Sequence, residues 1–306
     1  MADVKPVKSG WFNLFRPWTL HGAVVPVLIG GAVAWRDGIL VWWVLILVLI
    51  CGCLLQSVAN ILNTYGDYVK GTDTAENHTR SPELVDGTIT PKKALYAGLV
   101  CMGIVAACGL LFIWHMPDWN SRIGMLLFGL AGLGGAAMYT VGASYKYLGL
   151  GQVGVFILMG VLMPIGTYYT MAGTFSWEPI IVGLPNAFLI TAVLAGNETR
   201  DYYEDRKSNV GTLSGRLSYK GAMRLYLAEC FVAPVLLVVL VMLEQIPWVG
   251  ILALVSVYDL MLVIENSVRA PTDAGCNRLL VPKAFTYNWH FGALLVIGYI
   301  MSFNIM

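Results

Sequence analysis

Charge is scarce in this chain. Asp, Glu, Lys and Arg together supply 12% of its 306 residues, about half the roughly 25% usual for a soluble domain. An ordinary water-soluble globule is thereby excluded. Six cysteines are present, but they form neither a zinc-type pattern nor a disulfide framework. Cys51 and Cys53 lack a second pair at ligand spacing. With Cys101, Cys108 and Cys230 they lie inside apolar runs, where a thiol behaves as a small hydrophobe, and Cys276 is a lone loop thiol. No low-complexity linker divides the chain. The first apolar run follows a Lys/Arg-bearing segment and lacks a small-residue cleavage site, so it is expected to be retained as a span.

Apolar residues fill the composition, at 58%. Stretches long enough to cross a bilayer, about 20 residues each, run approximately 19–35, 40–62, 93–114, 122–143, 150–172, 179–198, 222–243, 247–267 and 285–304. The expected fold is all-α: a polytopic membrane protein of nine transmembrane helices with a cytoplasmic N-terminus. Of the nineteen Lys and Arg residues, all but Arg36 and Arg122 then fall on the cytoplasmic side, as the positive-inside rule requires. One domain, 1–306, is expected, in two related halves of approximately 11–143 and 144–268 plus a ninth helix at 285–304. The long connections 67–92, 199–221 and 268–284 share the cytoplasmic side, where function is therefore sought. Gly129, Gly132, Gly134 and Gly135 in the fourth span suggest close helix packing.

Against this apolar background, two acidic motifs stand at span ends. Ionisable groups at membrane depth are costly and mark functional sites by default. The first runs from Asn63 through Asp67 to Asp73, the second from Asn197 through Asp201 to Asp205. Each contains Asn followed four residues later by Asp, which places both side chains on one helical face. Asn60 extends the first face by a turn. Asp73 lies about 240° around the axis from Asp67, beyond a helix end expected at Gly71, and can contribute only from the loop. In the second motif Asn197, Asp201 and Asp205 form one stripe, while Arg200, Glu204 and Arg206 point elsewhere. Facing pairs of carboxamide and carboxylate make a set of hard oxygens suited to Mg²⁺. Lys70, Arg80, Lys146, Arg206 and Lys207 share the same loops. Acids, cations and a membrane together suit a lipid diphosphate, with Mg²⁺ bridging acid to phosphate and cations balancing the charge. An intramembrane ion path, the rival of a transporter or channel, needs no such collection of cations.

These motifs resemble the UbiA superfamily of intramembrane prenyltransferases, and within it the 1,4-dihydroxy-2-naphthoate polyprenyltransferases of menaquinone synthesis. The resemblance runs nearly end to end. It includes Arg16 to Leu20 with Pro26 to Gly30, Asp67 to Thr74, Arg80 to Thr90, and Tyr139-Thr140. It continues through Gly149 to Gly151 with Val155-Phe156, Gly166 to Tyr169, and Asn197 to Lys207 followed by Thr212-Leu213 and Arg216-Leu217. Three departures stand out. Thr64 follows Asn63 where the family usually has Asp, Gln152 stands where the naphthoate branch often has Glu, and Val141 to Ala143 replaces Gly-Gly-Pro.

The resemblance implies nine helices and Mg²⁺-dependent transfer of a polyprenyl group from polyprenyl diphosphate to the ring of 1,4-dihydroxy-2-naphthoate. Decarboxylation accompanies the transfer, giving demethylmenaquinone and pyrophosphate. 4-Hydroxybenzoate or a glycerol phosphate lipid are the alternative acceptors. The expected metal ligands are Asn63, Asp67, Asp73, Asn197, Asp201 and Asp205. The diphosphate contacts expected are Asn60, Asn63, Lys70, Arg80, Lys146, Asn197, Arg206 and Lys207. Asp67, Asp201, Asp205, Arg80, Lys146 and Tyr139 are the expected catalytic set. The partners implied are the lipid bilayer and these small molecules, with no nucleic acid.

Overall fold

A computed structural model describes residues 10–74, 82–139, 142, 144–208 and 210–302. Among them the regular structure is helical throughout, because hydrocarbon offers no partner for a backbone N–H or C=O and a helix pairs them internally. The chain opens with α1 (Trp11–Phe15), a single 3₁₀ turn at Pro17–Thr19 and α2 (His21–Arg36). It continues through α3 (Trp42–Val69), α4 (Pro91–His115) and α5 (Trp119–Met138). A third stretch joins α6 (Gly151–Val155) to α7 (Met163–Ala172) through a π-helical segment, Phe156–Leu162. Pro164 has no N–H to return to the carbonyl four residues earlier, and the widened turns lie just before it. Then come α8 (Glu178–Arg200), α9 (Tyr202–Lys207), α10 (Tyr219–Met242), a 3₁₀ stretch at Trp248–Ser256, α11 (Val257–Arg269) and α12 (Ala274–Met301).

Helix ends carry their own signals. Thr90 accepts from the Lys93 N–H with Pro91 in the first turn, and Asp118 with Ser121 forms a reciprocal capping box. Ser218 and Asp273 cap α10 and α12. Each satisfies N–H groups that have no partner inside the helix.

Among the described residues seven helices are long and apolar enough to cross a membrane, and an eighth arises if α1 and α2, bent by 42° at their break, count as one span. The protein is a multi-pass membrane protein. The ninth expected span falls on α12, which is 28 residues long but is not among those eight. Tyr287, Asn288, Trp289 and His290 interrupt its apolar run.

The two largest of four buried apolar clusters among the described residues hold most of the bundle together. The larger unites α2, α8, α10, α11 and α12 around Tyr226, Tyr287, Phe291, Tyr299, Ile29 and Leu189, all fully enclosed. The smaller packs α3, α4, α5 and α7 around Val44, Phe112, Met125 and Tyr169. α8 is the central helix: 72% of its apolar window is buried, against 11% for α5. At Gly30 a Cβ would lie 2.2 Å from the Pro164 carbonyl oxygen, so only glycine permits this approach of α2 to α7.

The small-residue stripe of α5 packs less than its sequence suggests. A Cβ at Gly135 would strike Leu158 at 2.6 Å, whereas Gly129 and Gly134 have nothing within 4 Å. Only one narrow face of α5 meets its neighbours, and Leu127 and Leu130 on the remainder are exposed.

Contacts gather the connections after α3, α5, α8 and α11 at one end: Lys146 bonds Asp67, Gln152 bonds Glu198, and Asn277 Nδ2 donates to the Arg200 carbonyl. At the opposite end Arg36 donates to Glu178 Oε1 and to the Tyr299 hydroxyl, both at 3.0 Å. Tyr299 donates to Glu178 in turn, and Tyr168 donates to Asp37 at 2.7 Å.

Candidate active site at one end of the bundle

The last turns of α3 build the first half of the site. Asn63 and Asp67 share a face, and Asn63 Nδ2 donates to Asp67 Oδ2 at 3.0 Å. The Lys146 ammonium reaches them from the α5–α6 connection, 2.7 Å from Asn63 Oδ1 and 3.1 Å from each Asp67 oxygen. The Tyr147 hydroxyl donates to Asp67 Oδ1, and the Lys70 ammonium lies 3.4 Å from the centre of the Tyr147 ring, a cation–π contact. Burial, and then Asp67, hold the Tyr147 phenol far above its ordinary pKa.

Local backbone geometry makes this possible. Ser144 adopts a left-handed conformation (φ 49°, ψ 44°) immediately before the 3₁₀ turn Tyr145–Leu148. Gly149 follows at φ 72°. A Cβ there would sit 2.8 Å from Arg216 Nε, and Arg216 fastens the loop by donating to the Leu148 carbonyl at 2.8 Å. After α3, Gly71 at φ 71° turns the chain back, so that the Thr72 and Asp73 N–H groups both bond the Asp67 carbonyl, at 2.9 and 3.3 Å. Asp73 thus returns toward Asp67 from the loop.

The second motif begins in α8. Backbone bonds from Asp201 N to Asn197 O (3.1 Å) and from Asp205 N to Asp201 O (2.9 Å) carry helical register across the α8–α9 break. One expectation fails here. Arg200 does not point away: its guanidinium grips the Asp201 carboxylate through both Nε and Nη2, because the break at Asp201 turns that side chain back on its neighbour. Asp205 is half-buried. Burial first, and the Asp201 charge second, push its carboxyl up to about 7, while Lys146 pulls it down. Burial likewise holds the Tyr139 phenol well above its usual value, with Glu198 adding to the effect.

A further cation enters from α1. Arg16 is left-handed (φ 50°, ψ 59°), an uncommon conformation for a residue with a Cβ, and its Nη2 donates to Thr64 Oγ1 at 3.1 Å. Thr19 Oγ1 bonds the Arg16 carbonyl at 2.8 Å, and Asn60 Nδ2 bonds both Thr19 Oγ1 (2.9 Å) and the Phe15 carbonyl (3.1 Å). Asn60 is therefore tied to the α1–α2 break, where it buttresses Arg16. Arg16 is not among the site residues expected from the sequence, since its contact with Thr64 joins segments 48 positions apart. On α9, Arg206 is exposed and donates to the Tyr202 hydroxyl at 2.6 Å, and Lys207 is exposed. Arg80 lies outside the described residues.

Among the described residues no three acidic, His or Cys side chains converge at metal-binding distance. Asn63 with Asp67 makes one pair and Asp201 with Asp205 another, and the charges of Asp67 and Lys146 both act on Asp205. The donor chemistry fits a hard divalent cation. Lys146 sits on the Asp67 oxygens such a cation would take.

A sequence profile described as the UbiA prenyltransferase family matches residues 23–290. The chain belongs to the UbiA prenyltransferase family. Among its curated relatives, the 1,4-dihydroxy-2-naphthoate octaprenyltransferase of Mycobacterium leprae is 32% identical over 247 residues, covering 79% of this chain and 81% of that protein. The enzyme of the same name from Escherichia coli is 32% identical over 221 residues, 71% of each chain. Solved structures share the UbiA fold. An apo UbiA homologue from Aeropyrum pernix aligns with TM-score 0.65 at 15% identity, covering 94% of this chain and 98% of that one. A homologue from Archaeoglobus fulgidus bound to DMAPP and Mg²⁺ aligns with TM-score 0.58 at 14% identity, covering 97% and 100%.

Proposed function

We propose that this protein transfers a polyprenyl group from polyprenyl diphosphate to the ring of 1,4-dihydroxy-2-naphthoate. The observation that carries the proposal is the Asn63–Asp67–Lys146–Tyr147 cluster, with Asp205 in its electrostatic reach, at one end of an apolar bundle. In the reaction the allylic C–O bond breaks, pyrophosphate leaves, and a ring carbon forms the new C–C bond. The proton of the prenylated carbon is released, the carboxylate departs as CO₂ and its carbon takes up a proton in its place, giving demethylmenaquinol, the reduced form of demethylmenaquinone. Relatives named for the naphthoate reaction support the acceptor, and an archaeal neighbour bound to DMAPP and Mg²⁺ supports the donor and the metal.

Asn63, Asp67, Asn197, Asp201 and Asp205 would hold Mg²⁺, with Asp73 assisting from the loop. When bound, the metal supplies charge neutralisation of the leaving diphosphate. The chain's own cations do the rest. Lys146 leaves Asp67 for a diphosphate oxygen, Arg16 approaches from the α1 side, Lys70, Arg206 and Lys207 surround the entrance, and Arg80 keeps its expected role as a diphosphate contact. Charge stabilisation at the departing oxygen is the main electrostatic task of an ionising step. Tyr139 donates a hydrogen bond at the cleft. The prenyl chain lies in an apolar groove open to lipid, and the site faces the cytoplasm.

Purified protein incubated with Mg²⁺, a polyprenyl diphosphate and separate aromatic acceptors tests this by mass spectrometry of the lipid products. A prenylated, decarboxylated naphthoate product is expected. Product from 4-hydroxybenzoate alone, or from a glycerol phosphate alone, would replace the acceptor.

A further inference from the structure

Glu198 stands one residue after Asn197 and takes no part in the acidic stripe. It is 2% exposed. Its Oε2 accepts two hydrogen bonds, from Gln152 Nε2 at 2.7 Å and from the Ser214 N–H at 3.0 Å. Its Oε1 is equally enclosed and has no hydrogen-bond partner. A buried carboxylate oxygen without a donor is costly and calls for an explanation. Anchoring the Ser214 turn explains Oε2 and leaves Oε1 unexplained.

What Oε1 faces narrows its purpose. A Cβ placed on Gly151 would lie 3.5 Å from Glu198 Oε1, 3.6 Å from the Tyr139 hydroxyl and 3.4 Å from Leu194 Cδ2. The missing side chain of Gly151 thus leaves a notch bordered by one apolar carbon and two oxygens. The Tyr139 carbonyl in turn accepts from the Lys146 N–H at 3.0 Å, and the Lys146 ammonium bonds Asp67 at 3.1 Å, so the notch adjoins the cleft. A hydroxyl reaching Oε1 through this methyl-sized notch would meet an apolar carbon on one side and the Tyr139 phenol on the other.

We propose that Glu198 Oε1 accepts a hydrogen bond from a ring hydroxyl of the aromatic acceptor and so fixes which ring carbon faces the breaking C–O bond. The inference rests on the aromatic acceptor proposed above. Gln152 gives it a second handle, because its amide on α6 touches the Glu198 carboxylate on α8 at 2.7 Å, so the two groups can be exchanged between the helices.

Steady-state kinetics with hydroxylated rings and their methyl ethers test it. Glu198→Gln is expected to raise the acceptor KM about 10- to 100-fold, the range of one hydrogen bond to a charged group, and to leave the diphosphate KM and the Mg²⁺ requirement unchanged. The methyl ether should be turned over poorly by the native enzyme and no worse by the variant. Exchanging the pair, Gln152→Glu with Glu198→Gln, should restore most of the acceptor affinity. Gly151→Ala, which fills the notch, should raise the acceptor KM alone, and it carries the test if Glu198→Gln does not fold. A rise in diphosphate KM or Mg²⁺ requirement would instead show that Glu198 acts by holding Asn197 in place, overturning the proposal. Turnover of hydroxylated rings with an unchanged acceptor KM in Glu198→Gln overturns this inference alone. A native enzyme that prenylates no ring overturns the acceptor reading as well.

Discussion

The Lys146 ammonium spans both oxygens of Asp67 at 3.1 Å each, in a pair whose side chains are only 15% and 11% exposed. The two residues lie 79 positions apart in sequence, Asp67 in the last turn of α3 and Lys146 in the α5–α6 connection. Enclosure makes the pair a matched unit, since removing either partner leaves an uncompensated charge at low dielectric.

Lys146→Gln should therefore destabilise the metal-free protein, by about 2–4 kcal/mol on the scale of broken buried pairs. The diphosphate KM should rise as well. Thermal unfolding in detergent with and without Mg²⁺ measures the first effect. Added Mg²⁺ should recover much of the lost stability, because the cation takes over the neutralisation of Asp67. An equal deficit with and without the metal would contradict this arrangement.

Asp67→Ala should reduce prenyl transfer by at least about 100-fold, the scale of losing a group that stabilises charge in the transition state. Full Mg²⁺-dependent activity in this variant would remove Asp67 from the metal set.

Asp205 sets a pH dependence whose sign follows from its raised carboxyl pKa, about 7 in the folded protein. Between roughly pH 4 and 7 the folded state binds more protons than the unfolded one, so stability declines as pH rises through this window. Above pH 7 the cost of the buried charge is fully present. Melting curves of metal-free protein at pH 5 and pH 8 should show this slope, and Asp205→Asn should flatten it. Identical slopes in both proteins would place the titration elsewhere.

Arg16 tests the α1 side of the cleft. Arg16→Gln should raise the diphosphate KM about tenfold, as expected for one charge-assisted contact, without changing the acceptor KM. Isothermal titration with inorganic pyrophosphate and Mg²⁺ gives an independent readout. Unaltered pyrophosphate binding would confine Arg16 to a structural role.

The left-handed turn offers a structural test of how Lys146 is delivered. Ser144→Gly should stabilise slightly, by up to about 1 kcal/mol, through relief of its backbone conformation. Gly149→Ala should destabilise and lower activity together, because its Cβ would meet Arg216 as well as an unfavourable φ. Activity assays beside melting curves separate the two substitutions.

Helical arithmetic was enough to pair Asn63 with Asp67 and to exclude Asp73 from their face, because i to i+4 spacing is a local property. The chain reversal at Gly71 was also legible, since a left-handed residue after a helix is a glycine habit. Contacts between distant segments were not. Nothing in local periodicity brings Lys146 onto Asp67 or ties Asn60 to Thr19, as both depend on how α1 and the α5–α6 connection fold over α3. The grip of Arg200 on Asp201 escaped for a related reason: a stripe drawn through an ideal helix ignores the break between α8 and α9. The glycines of α5 misled in the opposite direction, since a small residue permits close packing without ensuring that a neighbour is present.

Arg36, Glu178 and Tyr299 fasten α2, α8 and α12 together at the end remote from the acidic motifs. The end that carries the acidic motifs is closed by connections that meet through side chains, Lys146 on Asp67 and Arg216 on the Leu148 carbonyl among them. A substitution that cuts the Arg36–Glu178–Tyr299 contacts would therefore act on the packing of α2, α8 and α12 without touching a residue of the acidic motifs.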